Sequence, residues 1–85
     1  MAYQKVQFVN GDVKQLVAPS LHYQTVYLHS GSGTIYIGDN ASVAIGTGYR
    51  MDNGDKLVYN LVAGEGLWGI AATGAPYMYV MNNQN

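Results

Sequence analysis

Hydrophobic and polar positions alternate with period two in short runs along this chain, and each run is cut by a cluster of Gly, Asn, Asp or Pro. That pattern predicts β-strands separated by turns, because successive side chains of a strand point to opposite faces. Tyr3 to Val9 sets Val6 and Phe8 on one face and Tyr3, Lys5 and Gln7 on the other. Asn10-Gly11 follows and supplies the positive φ angles of a type I′ turn. Val13 to Val17 is therefore expected to fold back as the second strand of a hairpin, with Pro19 ending the pairing. Leu21 to Ser30 is the longest strand candidate, with His22, Gln24, Val26 and Leu28 on one side and Leu21, Tyr23, Thr25, Tyr27 and His29 on the other.

Beyond a Gly31-Ser32-Gly33 turn, Ile35 and Ile37 share a face of a strand over Thr34 to Ile37, Gly38-Asp39-Asn40 breaks the chain, and Val43 to Ile45 is ambiguous. Tyr49 to Met51 and Lys56 to Val62 flank Asp52-Asn53-Gly54-Asp55, a second hairpin signal built on Asn-Gly, and Gly64-Glu65-Gly66 closes that unit. Leu67 to Ala72 reads as a buried strand in which Gly69 admits a neighbouring backbone. A Thr73-Gly74-Ala75-Pro76 turn precedes the strand Tyr77 to Met81, and residues 82–85 read as a frayed polar tail. Seven or eight short strands predict one all-β domain over residues 1–85, a small antiparallel β-sandwich of jelly-roll-like or immunoglobulin-like form. The expected core is Val6, Phe8, Val26, Leu28, Ile35 and Ile37.

Composition narrows what such a domain can do. With 85 residues only one domain fits. A net charge of -1 gives no basic footprint, so no nucleic-acid partner is expected. No stretch approaches the roughly 18 apolar residues of a membrane helix, so no membrane partner is expected either. The start, Met1-Ala2-Tyr3-Gln4-Lys5, lacks the basic and apolar regions of a secretory signal, which predicts synthesis in a cytoplasm and an unused Asn40-Ala41-Ser42 sequon. Without cysteine there are no disulfides or thiolate metal sites. Charged residues are only 11% of the chain, well below the roughly 25% of ordinary domains. A surface so poor in charge suits contact with other protein, and oligomerisation is one remedy for the thin stability of a small scaffold.

Candidate chemistry is sparse. Gly64-Glu65-Gly66-Leu67-Trp68-Gly69 matches GxGxxG, but no helix follows and Pro76 ends the run, so these read as turn glycines. His22 and His29 have an odd separation, which on a regular strand sends them to opposite faces. Asp52-Asn53-Gly54-Asp55 lacks the twelve-residue ligand series of a calcium loop. No nucleophile elbow or polarised carboxylate pair is apparent, so the expectation is no enzyme, with no catalytic residues, cofactor or metal. Tyrosine is the unusual feature: the chain has 8, with Tyr23 and Tyr27 on one strand face and Tyr77 and Tyr79 on another. Rows of tyrosine can stack on sugar rings, pack at a subunit interface or line the margin of a core.

From Thr34 onward, over about the last fifty residues, the order of motifs resembles small tailed-phage and prophage β-sandwich virion proteins. The resemblance is carried by Ile35-Tyr36-Ile37-Gly38, then Gly48-Tyr49-Arg50-Met51-Asp52-Asn53-Gly54-Asp55, then Leu67-Trp68-Gly69-Ile70-Ala71-Ala72-Thr73-Gly74, with Trp68-Gly69 where Tyr-Ala is more usual. It implies an accessory virion protein, made in the host cytoplasm, that decorates or cements a capsid or belongs to a head fibre or tail. Its implied partners are further copies of itself, a trimer being one arrangement, and a major capsid or other virion protein. Tyr23, Tyr27, Tyr77 and Tyr79 are the expected interface residues. The alternative is a carbohydrate-binding or receptor-adhesion module that uses the tyrosine-rich face.

Overall fold

An Asn-Gly pair folds a strand back on its neighbour through a type I′ turn only when both central residues take positive φ. The computed structural model describes residues 3–72 and 74–84, and among these only glycines do so. Gly11 (φ 82°) and Gly54 (φ 87°) each sit third in a turn whose second residue is not left-handed. Asp12 N–H donates to Val9 C=O at 2.9 Å and Asp55 N–H to Asp52 C=O at 3.0 Å. This is the φ pattern of a type II turn, which splays flanking strands where a primed turn would pair them. Val62-Ala63-Gly64-Glu65 repeats it, with Gly64 at φ 89° and Glu65 N–H on Val62 C=O at 3.1 Å.

The hairpins expected at Asn10-Gly11 and Asn53-Gly54 therefore do not form, and each turn carries the chain from one sheet to the other. The eight strands are β1 (Tyr3–Gln7), β2 (Val13–Val17), β3 (Gln24–Ser32), β4 (Ile35–Gly38), β5 (Tyr49–Met51), β6 (Lys56–Leu61), β7 (Leu67–Ala71) and β8 (Tyr77–Gln84). They form two four-stranded antiparallel sheets, β1-β8-β3-β6 and β2-β7-β4-β5. Only β4 to β5 stays within one sheet; every other connection crosses. Eight strands wound in this way have jelly-roll connectivity, which selects the first of the two expected sandwich forms. An immunoglobulin constant-type sandwich would divide seven strands four and three.

Several boundaries differ from expectation for local reasons. β3 starts at Gln24 because Ser20 Oγ accepts the His22 N–H at 3.1 Å and bends the chain there. It then runs through Ser32 by way of an irregularity between Ser30 and Ser32, so Gly31 and Ser32 are strand residues. Val43 to Ile45 lies in the β4–β5 loop, where the Ala44 C=O accepts the N–H groups of Thr47 and Gly48 at 3.1 and 3.0 Å. The polar segment expected to fray is strand as far as Gln84, pairing with β3, and Asn82 Nδ2 donates to Gln24 Oε1 at 2.8 Å. Met1, Ala2, Thr73 and Asn85, which figured in the readings of the start, the last turn and the tail, lie outside the described residues.

The core fills the space between the sheets. Phe8, Val26, Leu28, Ile35 and Ile37 are buried there as the alternation requires, and Val6 packs half-buried against them. Leu16, Val17, Met51, Leu61, Leu67, Ala71, Met78 and Val80 complete it. Gly69 is needed by packing: a Cβ there would lie 3.0 Å from Phe8 Cζ and 3.3 Å from Ile35 Cγ2. What approaches Gly69 is thus a phenyl ring and not a neighbouring backbone. Among the described residues two polar side chains are buried, and both are satisfied. Gln24 donates to Ala18 C=O (3.2 Å) and accepts from Asn82, while Ser30 Oγ donates to Gly33 C=O at 3.3 Å.

Two outcomes test this packing. Gly54→Val adds a Cβ that meets nothing within 4 Å but forces a left-handed β-branched residue, so it should cost about 1–2 kcal/mol in chemical denaturation. Phe8→Ala should cost more, about 3–5 kcal/mol, because a fully buried ring leaves a cavity beside Gly69.

Candidate functional site

Because β1 pairs with β8, and β8 with β3, residues from both ends of the chain meet on the outer face of the β1-β8-β3-β6 sheet. Register arranges that face in rows. Tyr3, Met81, Tyr27 and Val58 form one row across all four strands. Lys5, Tyr79, His29 and Lys56 form the next. Beyond the first row, Asn83, Thr25 and Asn60 make a polar margin in which Thr25 Oγ1 donates to Asn60 Oδ1 at 3.1 Å. No aspartate or glutamate projects from these strands on this face.

The aromatic rings are packed and not loose. Tyr79 lies edge-on to Tyr3, with centroids 5.2 Å apart, and edge-on to Tyr77 at 5.5 Å, and its ring is tilted 39° to that of His29 at 6.0 Å. Such T-shaped pairs are the favoured geometry of aromatic quadrupoles. Lys5 Nζ sits 4.3 Å from the centre of the Tyr77 ring, a cation–π contact that covers one face of it. Loss of water around the Tyr79 hydroxyl, with Tyr77 and Tyr3 adding to it, holds that phenol above the ordinary tyrosine range. Between the rings lies an open depression of about 470 Å³, walled by Tyr3, Tyr27, His29, Lys56, Tyr79 and Met81.

Of the four tyrosines singled out from sequence, Tyr27, Tyr77 and Tyr79 share this face, and only Tyr77 and Tyr79 are in mutual ring contact among the described residues. Tyr23 precedes β3 and is well exposed at the sheet's end. Tyr3, Met81, Val58 and Lys56 belong to the same surface, but local alternation could not associate them. Only the pairing of the first strand with the last, and of β6 with β3, brings them together.

The remaining motifs serve the turns. Asp52 Oδ1 accepts from Arg50 Nε at 2.8 Å and from Thr34 Oγ1 at 3.1 Å, and the Asp55 carboxylate accepts the Asp52 N–H at 2.8 Å. The hydrogen bond from Arg50, then that from Thr34, holds Asp52 below the usual carboxylate range. His22 lies off the strand, so strand parity does not govern it, and His29 alone of the pair reaches the aromatic face. In the GxGxxG run, Gly64 serves a turn, whereas Gly66 lets the Val17 carbonyl approach, its absent Cβ lying 2.8 Å from that oxygen. Comparison with family models, curated proteins and solved structures found no match.

The Tyr79 environment predicts a pH response. Its folded value is raised, so the stability it contributes is complete below the unfolded tyrosine value of about 10 and is lost as pH rises through the folded value. Denaturation at alkaline pH should show this decline in the wild type and a smaller one in Tyr79→Phe.

Proposed function

We propose that the protein is an accessory structural component of a tailed-phage virion, decorating or cementing the particle through the outer face of the β1-β8-β3-β6 sheet. The observation that carries this reading is the apolar row Tyr3, Met81, Tyr27 and Val58, which crosses every strand of a broad sheet face without an acidic residue. A surface of half-exposed tyrosines suits a fixed, partly wet protein contact, since aromatic residues are enriched at interfaces and the row is continuous. Low charge and the motif order from Thr34 onward agree with that role. The jelly roll is an architecture of viral capsid domains, although a fold by itself assigns no function.

The depression between the tyrosine rings favours a second reading, a carbohydrate-binding module, because lectin domains share the architecture and the polar margin of Asn83, Thr25 and Asn60 lies beside it. Against stacking on Tyr77, Lys5 already occupies one face of that ring. The virion reading predicts that mass spectrometry of gradient-purified particles finds the chain at stoichiometric copy number; its confinement to the host lysate would overturn the reading. Tyr27→Ala should weaken particle binding by more than about 2 kcal/mol while leaving the melting curve nearly unchanged. Saccharide-dependent chemical-shift changes confined to Tyr3, Tyr27 and Tyr79 would instead favour the module.

A further inference from the structure

Four strands lie at sheet edges: β1 and β6 in one sheet, β2 and β5 in the other. Natural edges are usually blunted by shortness, a bulge or a central charge, because their unpaired N–H and C=O groups template pairing with another chain. β5 has only 3 residues. β2 has a register shift between Gln15 and Val17 and carries Lys14, and β1 has Lys5 at its centre. β6 has none of these devices. Its 6 residues, Lys56-Leu57-Val58-Tyr59-Asn60-Leu61, carry charge only at the first position and pair with β3 without a shift in register.

The direction of its free groups follows from one hydrogen bond. Ser30 N–H donates to Asp55 C=O at 2.9 Å, and along an antiparallel ladder alternate residues turn both backbone groups to the same side. Leu57, Tyr59 and Leu61 therefore face β3, while Lys56, Val58 and Asn60 present N–H and C=O to the open edge. Val58 is 60% exposed and Tyr59 40% exposed, so β-prone side chains remain bare beside that backbone.

We infer that β6 pairs antiparallel with β6 of a second copy, about a twofold axis at Val58. This register alone engages all three residues with unpaired backbone groups: Val58 meets its counterpart, and Lys56 meets the second copy's Asn60. Centring the axis on Lys56 would oppose two ammonium groups and leave Asn60 unpaired. With the axis at Val58, the row Tyr3, Met81, Tyr27 and Val58 also continues into the same row of the second copy, giving one eight-stranded sheet with an unbroken aromatic face. The interface is isologous, as a twofold dimer requires. It stands whether or not the chain belongs to a virion, and its failure would leave that reading untouched.

Sedimentation equilibrium from micromolar to millimolar concentration should show a monomer–dimer equilibrium. Val58→Pro deletes an edge N–H that makes no bond within the chain, and Val58→Lys sets like charges opposite each other. Each should weaken dimerisation at least about tenfold while the melting curve shows a folded protein. Because the chain has no cysteine, Val58→Cys provides a register test. Paired Cα atoms at this position should lie about 5.5 Å apart, within disulfide range, whereas two Asn60→Cys sites would be more than about 10 Å apart. Oxidation should therefore link Val58→Cys and not Asn60→Cys. A wild type monomeric throughout, a dimer indifferent to both Val58 variants, or equal cross-linking of the two cysteine variants would overturn the inference.

Discussion

The structure depends on a restriction in its tightest turns: only glycine takes positive φ among the described residues. Asn10 and Asn53, which could have entered the left-handed region, do not, so the Val9–Asp12 and Asp52–Asp55 turns adopt the type II pattern and deliver successive strands to opposite sheets. Every strand but β5 must then find a partner far along the chain. The first and last strands pair, the third lies between the sixth and the eighth, and a closed two-layer core results without a disulfide and, among the described residues, without a helix. Long-range pairing of this kind makes the turns and the core interdependent: Phe8, at the end of β1, is held by its N–H on the Pro76 carbonyl and fills the space above Gly69 of β7.

The aromatic face is a consequence of that winding. Tyr3 and Tyr79 are separated by nearly the whole chain, yet their rings meet at 5.2 Å because β1 lies against β8. Lys5 reaches Tyr77 by the same pairing. A sandwich made of sequential hairpins would have placed β1 beside β2, leaving Tyr3 opposite a strand that bears no aromatic residue. In this topology, Tyr3, Tyr77 and Tyr79 from near the two ends of the chain meet Lys5, Tyr27, His29 and Lys56 on one sheet face, while the acidic residues stay in the turns and loops, at Asp12, Asp39, Asp52, Asp55 and Glu65. That segregation lets a chain of small net charge present one face suited to a protein contact.

Period-two alternation made most strands and the inner residues of β1, β3 and β4 legible in the sequence, since Phe8, Val26, Leu28, Ile35 and Ile37 follow from parity alone. Turn geometry was not legible, because Asn-Gly is compatible with both a primed turn and a type II turn, and the choice rests on the tertiary destination of the next strand. The end of β8 is not legible for a related reason. Asn82 and Asn83 look like a solvated tail until β3 is seen to run alongside, where the Asn82 amide bonds the buried Gln24. Of the candidate face, local reading could reach Tyr27, Tyr77 and Tyr79, but not Tyr3, Met81 or Val58. Their membership depends on which strands are neighbours, and hydrophobic patterning within a strand carries no information on that.

The most direct measurement is a set of cross-strand nuclear Overhauser effects in the purified chain. Pairing of β1 with β8 predicts backbone contacts along the ladder from Tyr3–Met81 to Gln7–Tyr77, together with ring contacts between Tyr3 and Tyr79. Backbone contacts between Tyr3–Gln7 and Val13–Val17 across Asn10-Gly11, with no β1–β8 ladder, would contradict the account and with it the face assembled from both ends of the chain.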